Sequence, residues 1–220
     1  MSRDYTAADF AERRDRMVRT QIEARGVTDV RVLAALRAVP RELFVPLTEQ
    51  AEAYDDRALP IGLGQTISQP YMVASMTAAL ALTPADRVLE VGTGSGYQAA
   101  VLGKMAGEVW SIERHAPLAA DARQRLEALG LSNVHVVVGD GTTGLAEHAP
   151  YDAILVTAGA PAVPHALREQ LADGGRLVIP VGPASHQDLM VCRRRGSSFE
   201  DQTGEACVFV PLVGRDGWPG

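Results

Sequence analysis

The residues best suited to chemistry fall in three places that the chain can bring together. The stretch "LEVGTGSGYQAA" sets Gly92, Gly94 and Gly96 in a G-x-G-x-G turn between a β-branched run and a helical pattern. Closely spaced glycines let the backbone turn tightly and lie against a ligand. The first amides of the helix that follows face whatever is bound there. Glu113 ends the next apolar run, "EVWSIE", 21 residues beyond Gly92. A carboxylate at about that distance accepts hydrogen bonds from ribose hydroxyls. Asp140 and Gly141 close a third run, "VHVVVGDG". Acids at the ends of adjacent parallel strands border the crevice where open α/β sheets bind ligands, so the pattern points to a nucleoside.

The loop's spacing bears on which nucleoside. A dinucleotide fingerprint is G-x-G-x-x-G, and here the last two glycines are one residue closer. Two phosphates would also favour a nearby cation, whereas this loop offers Ser95, Tyr97 and Gln98 and is preceded by Glu90. A cationic nucleoside, S-adenosylmethionine, fits such surroundings, and an NAD(P)-dependent oxidoreductase is the weaker alternative. A second polar cluster, "GQTISQP", packs Gln65, Thr66, Ser68 and Gln69 between apolar stretches. Ser68 reads in two compatible ways: as the N-cap of a helix with Pro70 in its first turn, or as part of one wall of a site. Histidines 115, 135, 148, 165 and 186 are scattered, and none pairs with a plausible nucleophile. Cys192 and Cys207 lack CxxC or zinc-ligand spacing and read as small buried hydrophobes, so no metal is expected.

These groups need a scaffold. Residues 8 to 25 have helical periodicity, with Phe10, Met17, Val18 and Ile22 on one face and Gly26 as the stop. Thr28 is the expected cap of a second helix ending at Pro40, with Asp29 in its first turn. Residues 43 to 63 read as loops with short extended pieces, and a third helix is expected from about 69 to 82. From residue 87 the pattern becomes "RVLEV", "EVWSIE", "VHVVV", "YDAILVT" and "GRLVIPV", with helices expected over 97–105, 116–129 and 163–171. Near-continuous apolar strands alternating with helices predict a parallel sheet covered on both faces. "QDLMVCRR" and "EACVFVPL", joined by a Gly-Ser turn, predict an antiparallel hairpin at its end.

Bulk properties exclude several classes. With 220 residues, 46% of them apolar, the chain suits one domain with a sizeable core: N-terminal helices and a loop over 1–84, and a nucleoside-binding core over 85–220. The net charge is −6, and the run Arg193-Arg194-Arg195 reads as a solvated turn, so a nucleic-acid surface is not expected. No stretch is apolar enough to span a bilayer, and the charged N-terminus lacks the apolar region of a secretory signal. A cytoplasmic monomer is the expectation.

Taken together, "ALPIGLGQTISQPYMVASMT", "VLEVGTGSGYQAAVL", "NVHVVVGDG", "APYDAILVTAGAP", "QLADGGRLVIPVG", "FVPL" and "AVPRELFVP" resemble, in order and spacing, the protein-L-isoaspartate O-methyltransferases. The resemblance covers about residues 15 to 213, and "PIGLGQTISQP" is its most specific part. It implies a Rossmann-like class I methyltransferase fold: an α/β protein with a mostly parallel seven-stranded sheet, a C-terminal antiparallel hairpin and an N-terminal helical extension. It further implies S-adenosylmethionine as cofactor and flexible isoaspartyl or D-aspartyl peptides as partners. Ser68 would meet the substrate carboxyl group. Gln65, Thr66 and Ile67 would line the space over the methyl donor, and Gly92, Gly94, Gly96, Glu113, Asp140 and Gly141 would hold it. Val213 and the tail "GRDGWPG" depart from the family pattern. Methylation of ordinary aspartate in a dedicated peptide, and a catalytically silent S-adenosylmethionine-binding module, stay open at this level.

Overall fold

The computed structural model describes residues 5–220. Helix α1, Ala7–Met17, starts from a reciprocal cap in which the Thr6 hydroxyl accepts the Asp9 amide and the Asp9 carboxylate accepts the Thr6 amide. The helical run continues through a π-turn, Val18–Ile22, and a 3-10 turn, Glu23–Arg25, and stops at Gly26 with φ 95°. Helix α2, Val30–Ala38, is capped by Asp29, not Thr28, because the Asp29 carboxylate accepts the amides of both Arg31 and Val32. Two 3-10 segments, Arg41–Phe44 and Leu47–Glu52, lead into a small antiparallel hairpin of β1, Leu59–Gly62, and β2, Gln65–Ile67.

Helix α3, Pro70–Leu80, follows directly. Its N-cap position is Gln69, which makes no side-chain cap, and Pro70 takes the first helical position, where a missing N–H is harmless. Ser68 therefore lies outside the helix and is not its cap. The sheet proper consists of β3 (Arg87–Val91), β4 (Glu108–Glu113), β5 (Val134–Val138), β6 (Tyr151–Val156), β7 (Leu171–Val181), β8 (Gln187–Arg195) and β9 (Ser198–Cys207), in the order β5-β4-β3-β6-β7-β8-β9. The first five are parallel, β8 pairs antiparallel with β7, and β9 pairs antiparallel with β8. Helices α4 (Tyr97–Gly103), α5 (Ala116–Ala128) and α6 (His165–Glu169) connect the parallel strands.

Both faces are buried, as near-continuous apolar strands require. Val88, Ala153, Leu155 and Val178 pack with residues of α1 to α5, whereas Leu89, Ile154, Val156 and Ile179 pack with Leu167 of α6 and with Leu212. The final hairpin departs from expectation. Its second strand begins at Ser198, and residues 208–212 have already left the sheet, with Val208 71% exposed. An edge strand with water on one side needs no apolar alternation, so the polar run 198–204 carries no strand signal in the sequence.

A charged cluster fastens α3 to the sheet. Arg176 on β7 donates to the carbonyls of Leu80, Ala81 and Asp152, capping the end of α3, and pairs with Asp86 at 2.6 Å. Burial pushes the Asp86 pKa up, but hydrogen bonds from Thr83 and the pair with Arg176 outweigh that and hold it below the ordinary 3.8. The stabilisation is thus present above the unfolded-state pKa and lost as pH falls through the depressed folded-state value. Asp86→Ala is expected to remove about 3 kcal/mol from a urea unfolding curve at neutral pH, by leaving a buried guanidinium unpaired. The gap to wild type should close as the pH drops below 3.8. An unchanged midpoint at neutral pH would show the pair to be inert.

Candidate active site

A cleft opens at the C-terminal ends of β3, β4 and β6, bordered by the glycine loop, Glu113 and the segment Gln65 to Ser68, the edge at which open α/β sheets bind ligands. Its floor is the turn after β3. Gly92 (φ 97°), Gly94 (φ 53°) and Gly96 (φ 92°) all adopt left-handed backbone, which favours glycine. A Cβ on Gly92 would lie 2.4 Å from Thr157 Oγ1, and one on Gly94 would lie 3.2 Å from Ile61 at the edge of the hairpin. Gly92 and Gly94 line the cleft; Gly96 does not, and a Cβ there would press on Ala122 at 3.1 Å. Gly96 therefore serves close packing of the loop against α5.

Glu113 stands where expected, at the end of β4 and on the cleft wall. Its two carboxylate oxygens accept the amides of Gly94 at 2.8 Å and His115 at 2.9 Å. Each oxygen keeps a lone pair for a ligand hydroxyl. Gly141 lines the cleft too, and a Cβ on it would lie 2.4 Å from Val91 Cγ1. Asp140 does not line it. Its carboxylate turns to the C-terminal tail and accepts the Thr142 amide (2.9 Å), the Thr142 hydroxyl (2.6 Å) and the Arg215 amide (2.8 Å). Burial pushes its pKa up, and these donors more than reverse that, leaving it below the usual carboxylate value.

The facing wall is β2 and its exit: Gln65, Thr66, Ile67 and Ser68 all border the cleft. Among the described residues no partner engages the Ser68 hydroxyl, whereas its carbonyl accepts Arg41 Nη2 at 2.8 Å. Arg41 is fully buried, and its Nε donates to the Ala53 carbonyl at 2.7 Å. The turn joining β1 to β2 runs through Gly62, Leu63 and Gly64, all at positive φ.

Sequence reasoning missed several wall residues. Thr157 lies beyond β6 and donates to the Gly92 carbonyl at 2.6 Å, holding the loop in place. Arg114 brings a cation to the rim. Val210 to Val213 form a further wall, and the tail beyond is docked rather than free: the Trp218 indole donates to the Gly159 carbonyl at 3.0 Å. "DGW" near a chain end carries no sequence signal for such docking. The polar groups among the cleft's lining residues are a carboxylate, hydroxyls, the side-chain amides of Gln65 and Gln98, main-chain atoms and one exposed arginine. That set fits a nucleoside with positive charge better than a pyrophosphate, which would call for cations at the glycine loop.

Residues 12–217 match the family model for protein-L-isoaspartate(D-aspartate) O-methyltransferase. A protein-L-isoaspartate O-methyltransferase of Methanoregula boonei is 54% identical over 99% of both chains. A protein-L-isoaspartate O-methyltransferase 2 of Pelobacter propionicus is 58% identical over 94% of this chain and 92% of its own. Among solved structures, a protein-L-isoaspartate O-methyltransferase superposes with a TM-score of 0.83 at 30% identity, over 93% of this chain and 67% of its own.

The engaged carboxylate of Asp140 generates a test. Asp140→Ala is expected to loosen the tail, so that tryptic cleavage after Arg215 in the folded protein accelerates several-fold. An unchanged cleavage rate would mean that the other contacts, among them the Asp216 amide on the Thr142 hydroxyl and the Trp218 indole on the Gly159 carbonyl, anchor the tail without Asp140.

Proposed function

The chain belongs to the protein-L-isoaspartate(D-aspartate) O-methyltransferase family, and from that premise we propose that it methylates the isoaspartyl and D-aspartyl carboxylates of damaged proteins and peptides, using S-adenosylmethionine. The observation that carries this reading is the wall Gln65–Ser68, standing across one cleft from the glycine loop and Glu113. We read residues 1–84 as the substrate side and 85–220 as the cofactor core of one methyltransferase unit.

When bound, S-adenosylmethionine supplies a methyl group on a sulfonium that departs as a neutral thioether. Glu113 would accept the ribose hydroxyls, with Gly92, Gly94 and Gly141 leaving room for close main-chain approach. Asp140 acts at one remove, by fixing the Gly141–Thr142 turn. Gln65, Thr66 and Ile67 would close over the donor.

The nucleophile is a carboxylate with a reference pKa of about 3.9, already ionised at neutral pH. No side chain has to take a proton from it. The chain's task is to place one oxygen in line with the methyl carbon, about 3–3.5 Å away, and to keep water off it. The Ser68 hydroxyl can donate to the other oxygen. A direct cation there would stabilise the charged ground state more than a transition state in which charge is being lost. The product ester has a better leaving group than the acid. The neighbouring backbone nitrogen displaces methanol to give a succinimide, whose opening returns part of the material to normal aspartate. Such repair suits a cytoplasmic enzyme acting on flexible segments.

Ser68→Ala is expected to lower kcat/KM for an isoaspartyl peptide by about ten- to a hundred-fold, the range of one hydrogen bond to a charged group. S-adenosylmethionine binding should persist. The matched aspartyl peptide should accept little methyl from either enzyme. Undiminished turnover by the variant would remove Ser68 from the site.

A further inference from the structure

Glu90, two residues before Gly92, is fully buried near the C-terminal end of β3. Its neighbours in register are Ser111 on β4 and Leu155 on β6. One carboxyl oxygen is hydrogen-bonded to the Ser111 hydroxyl; the other, Oε1, has no partner among the described residues. Ser111 in turn shares a hydrogen bond of 2.5 Å with the Thr93 hydroxyl. Thr93 lines the cleft, so a chain of hydroxyls runs from the buried acid to the cleft wall.

We propose that Glu90, Ser111 and Thr93 form a proton-coupled charge sensor, in which Glu90 loses its proton when a cationic ligand fills the cleft and regains it when that charge disappears. The proposal rests on the assignment of S-adenosylmethionine and adds a device that separates the sulfonium substrate from the neutral thioether product.

Proton bookkeeping along the chain supplies the mechanism. With Glu90 neutral, its O–H donates to Ser111, Ser111 donates to Thr93, and Thr93 has a hydrogen to turn toward the cleft. With Glu90 ionised, each hydroxyl turns round, and Thr93 offers the cleft lone pairs only. The second arrangement suits a cation and the first does not. An ionised Glu90 also attracts a sulfonium directly through a poorly screened interior.

The surroundings favour the neutral form in the empty site. Burial, opposed by the Ser111 bond and helped by the charge of Glu113, pushes the Glu90 pKa up to about 8. Other titratable groups on the packed elements are Glu108 and Asp152 at the far ends of β4 and β6, Tyr151 of β6, Tyr71 of α3 and Tyr97 of α4. None of these supplies a cation to hold Glu90 ionised. A bound cation lowers the pKa of Glu90, so binding releases a proton between the free and bound values, and affinity for the cation rises with pH across that interval. Loss of the sulfonium charge restores the empty-site preference, and Glu90 takes a proton back.

Titration calorimetry at pH 7 in two buffers of different ionisation enthalpy tests this on the intact protein. Release approaching one proton per S-adenosylmethionine bound is expected, and distinctly less for S-adenosylhomocysteine. Glu90→Gln should lose the release attributable to the site. The preference for S-adenosylmethionine over S-adenosylhomocysteine should climb several-fold more steeply from pH 6.5 to 8 in wild type than in this variant; the ligands' own ammonium groups titrate alike in both proteins. Thr93→Val, which leaves Glu90 in place, should weaken the coupling. Binding to wild type with buffer-independent heat, or equal release by Glu90→Gln, would overturn the sensor while leaving the cofactor assignment standing. Failure of wild type to bind S-adenosylmethionine at all would overturn both.

Discussion

A single buried guanidinium holds the two walls of the cleft in register. Arg41 reaches from the N-terminal extension to the Ala53 carbonyl at 2.7 Å and the Ser68 carbonyl at 2.8 Å, and its carbon lies 4.9 Å from the centre of the Tyr97 ring. Tyr97 opens the helix that leaves the glycine loop. One side chain thereby joins the helical extension, the hairpin wall and the helix that leaves the glycine turn. Among the described residues no carboxylate forms an ion pair with it. Burial pulls its pKa below the ordinary guanidinium value, and two carbonyls with an aromatic face stand in for a counter-ion. The result is a fixed Ser68 main chain whose hydroxyl is left free.

Charge is distributed across the cleft to suit two reactants of opposite sign. Glu113 stands on the glycine-loop side, with Glu90 buried behind the loop, and neutral hydroxyl and amide groups belong to the facing wall. A carboxylate nucleophile loses its charge in the reaction, so positive charge in direct contact would be counterproductive. Arg41 keeps its charge behind a main-chain carbonyl, where it adds favourable potential without touching the position Ser68 faces. The sheet order makes this possible. Connections from β3 and β6 leave in opposite directions, opening the crevice at the strand ends where both sets of groups converge.

The alternation of apolar runs with helical stretches made the parallel sheet legible, because strands buried on both faces need uninterrupted apolar sequence. The glycine loop was readable for a related reason: three left-handed positions leave few other residue types. Glu113 followed from its distance to that loop. Long-range partners were not legible. Asp140 appears beside Gly141 in the sequence, yet the amide of Arg215, 75 residues away, turns its carboxylate to the tail. Ser68 has the residue type of a cap, yet the helix begins at Pro70, and the Ser68 carbonyl is engaged by Arg41 from a distant part of the chain. The edge strand 198–207 faces water and so lacks the pattern that marks the others. The Glu90–Ser111–Thr93 chain depends on register between neighbouring strands, which no local window contains.

These features reduce to one claim: the protein supplies position and dryness to an acid that arrives ionised, and titration of Glu90 governs how tightly the methyl donor is held, not how fast the methyl group moves. The direct measurement is single-turnover methyl transfer to an isoaspartyl peptide, with enzyme and S-adenosylmethionine both saturating, followed from about pH 6 to 8, well above the reference pKa of the substrate carboxylate. A flat rate across that range is the predicted result. A rate that rises or falls through a pKa near neutrality, with the donor still saturating, would mean that a side chain moves a proton in the chemical step and would contradict the account.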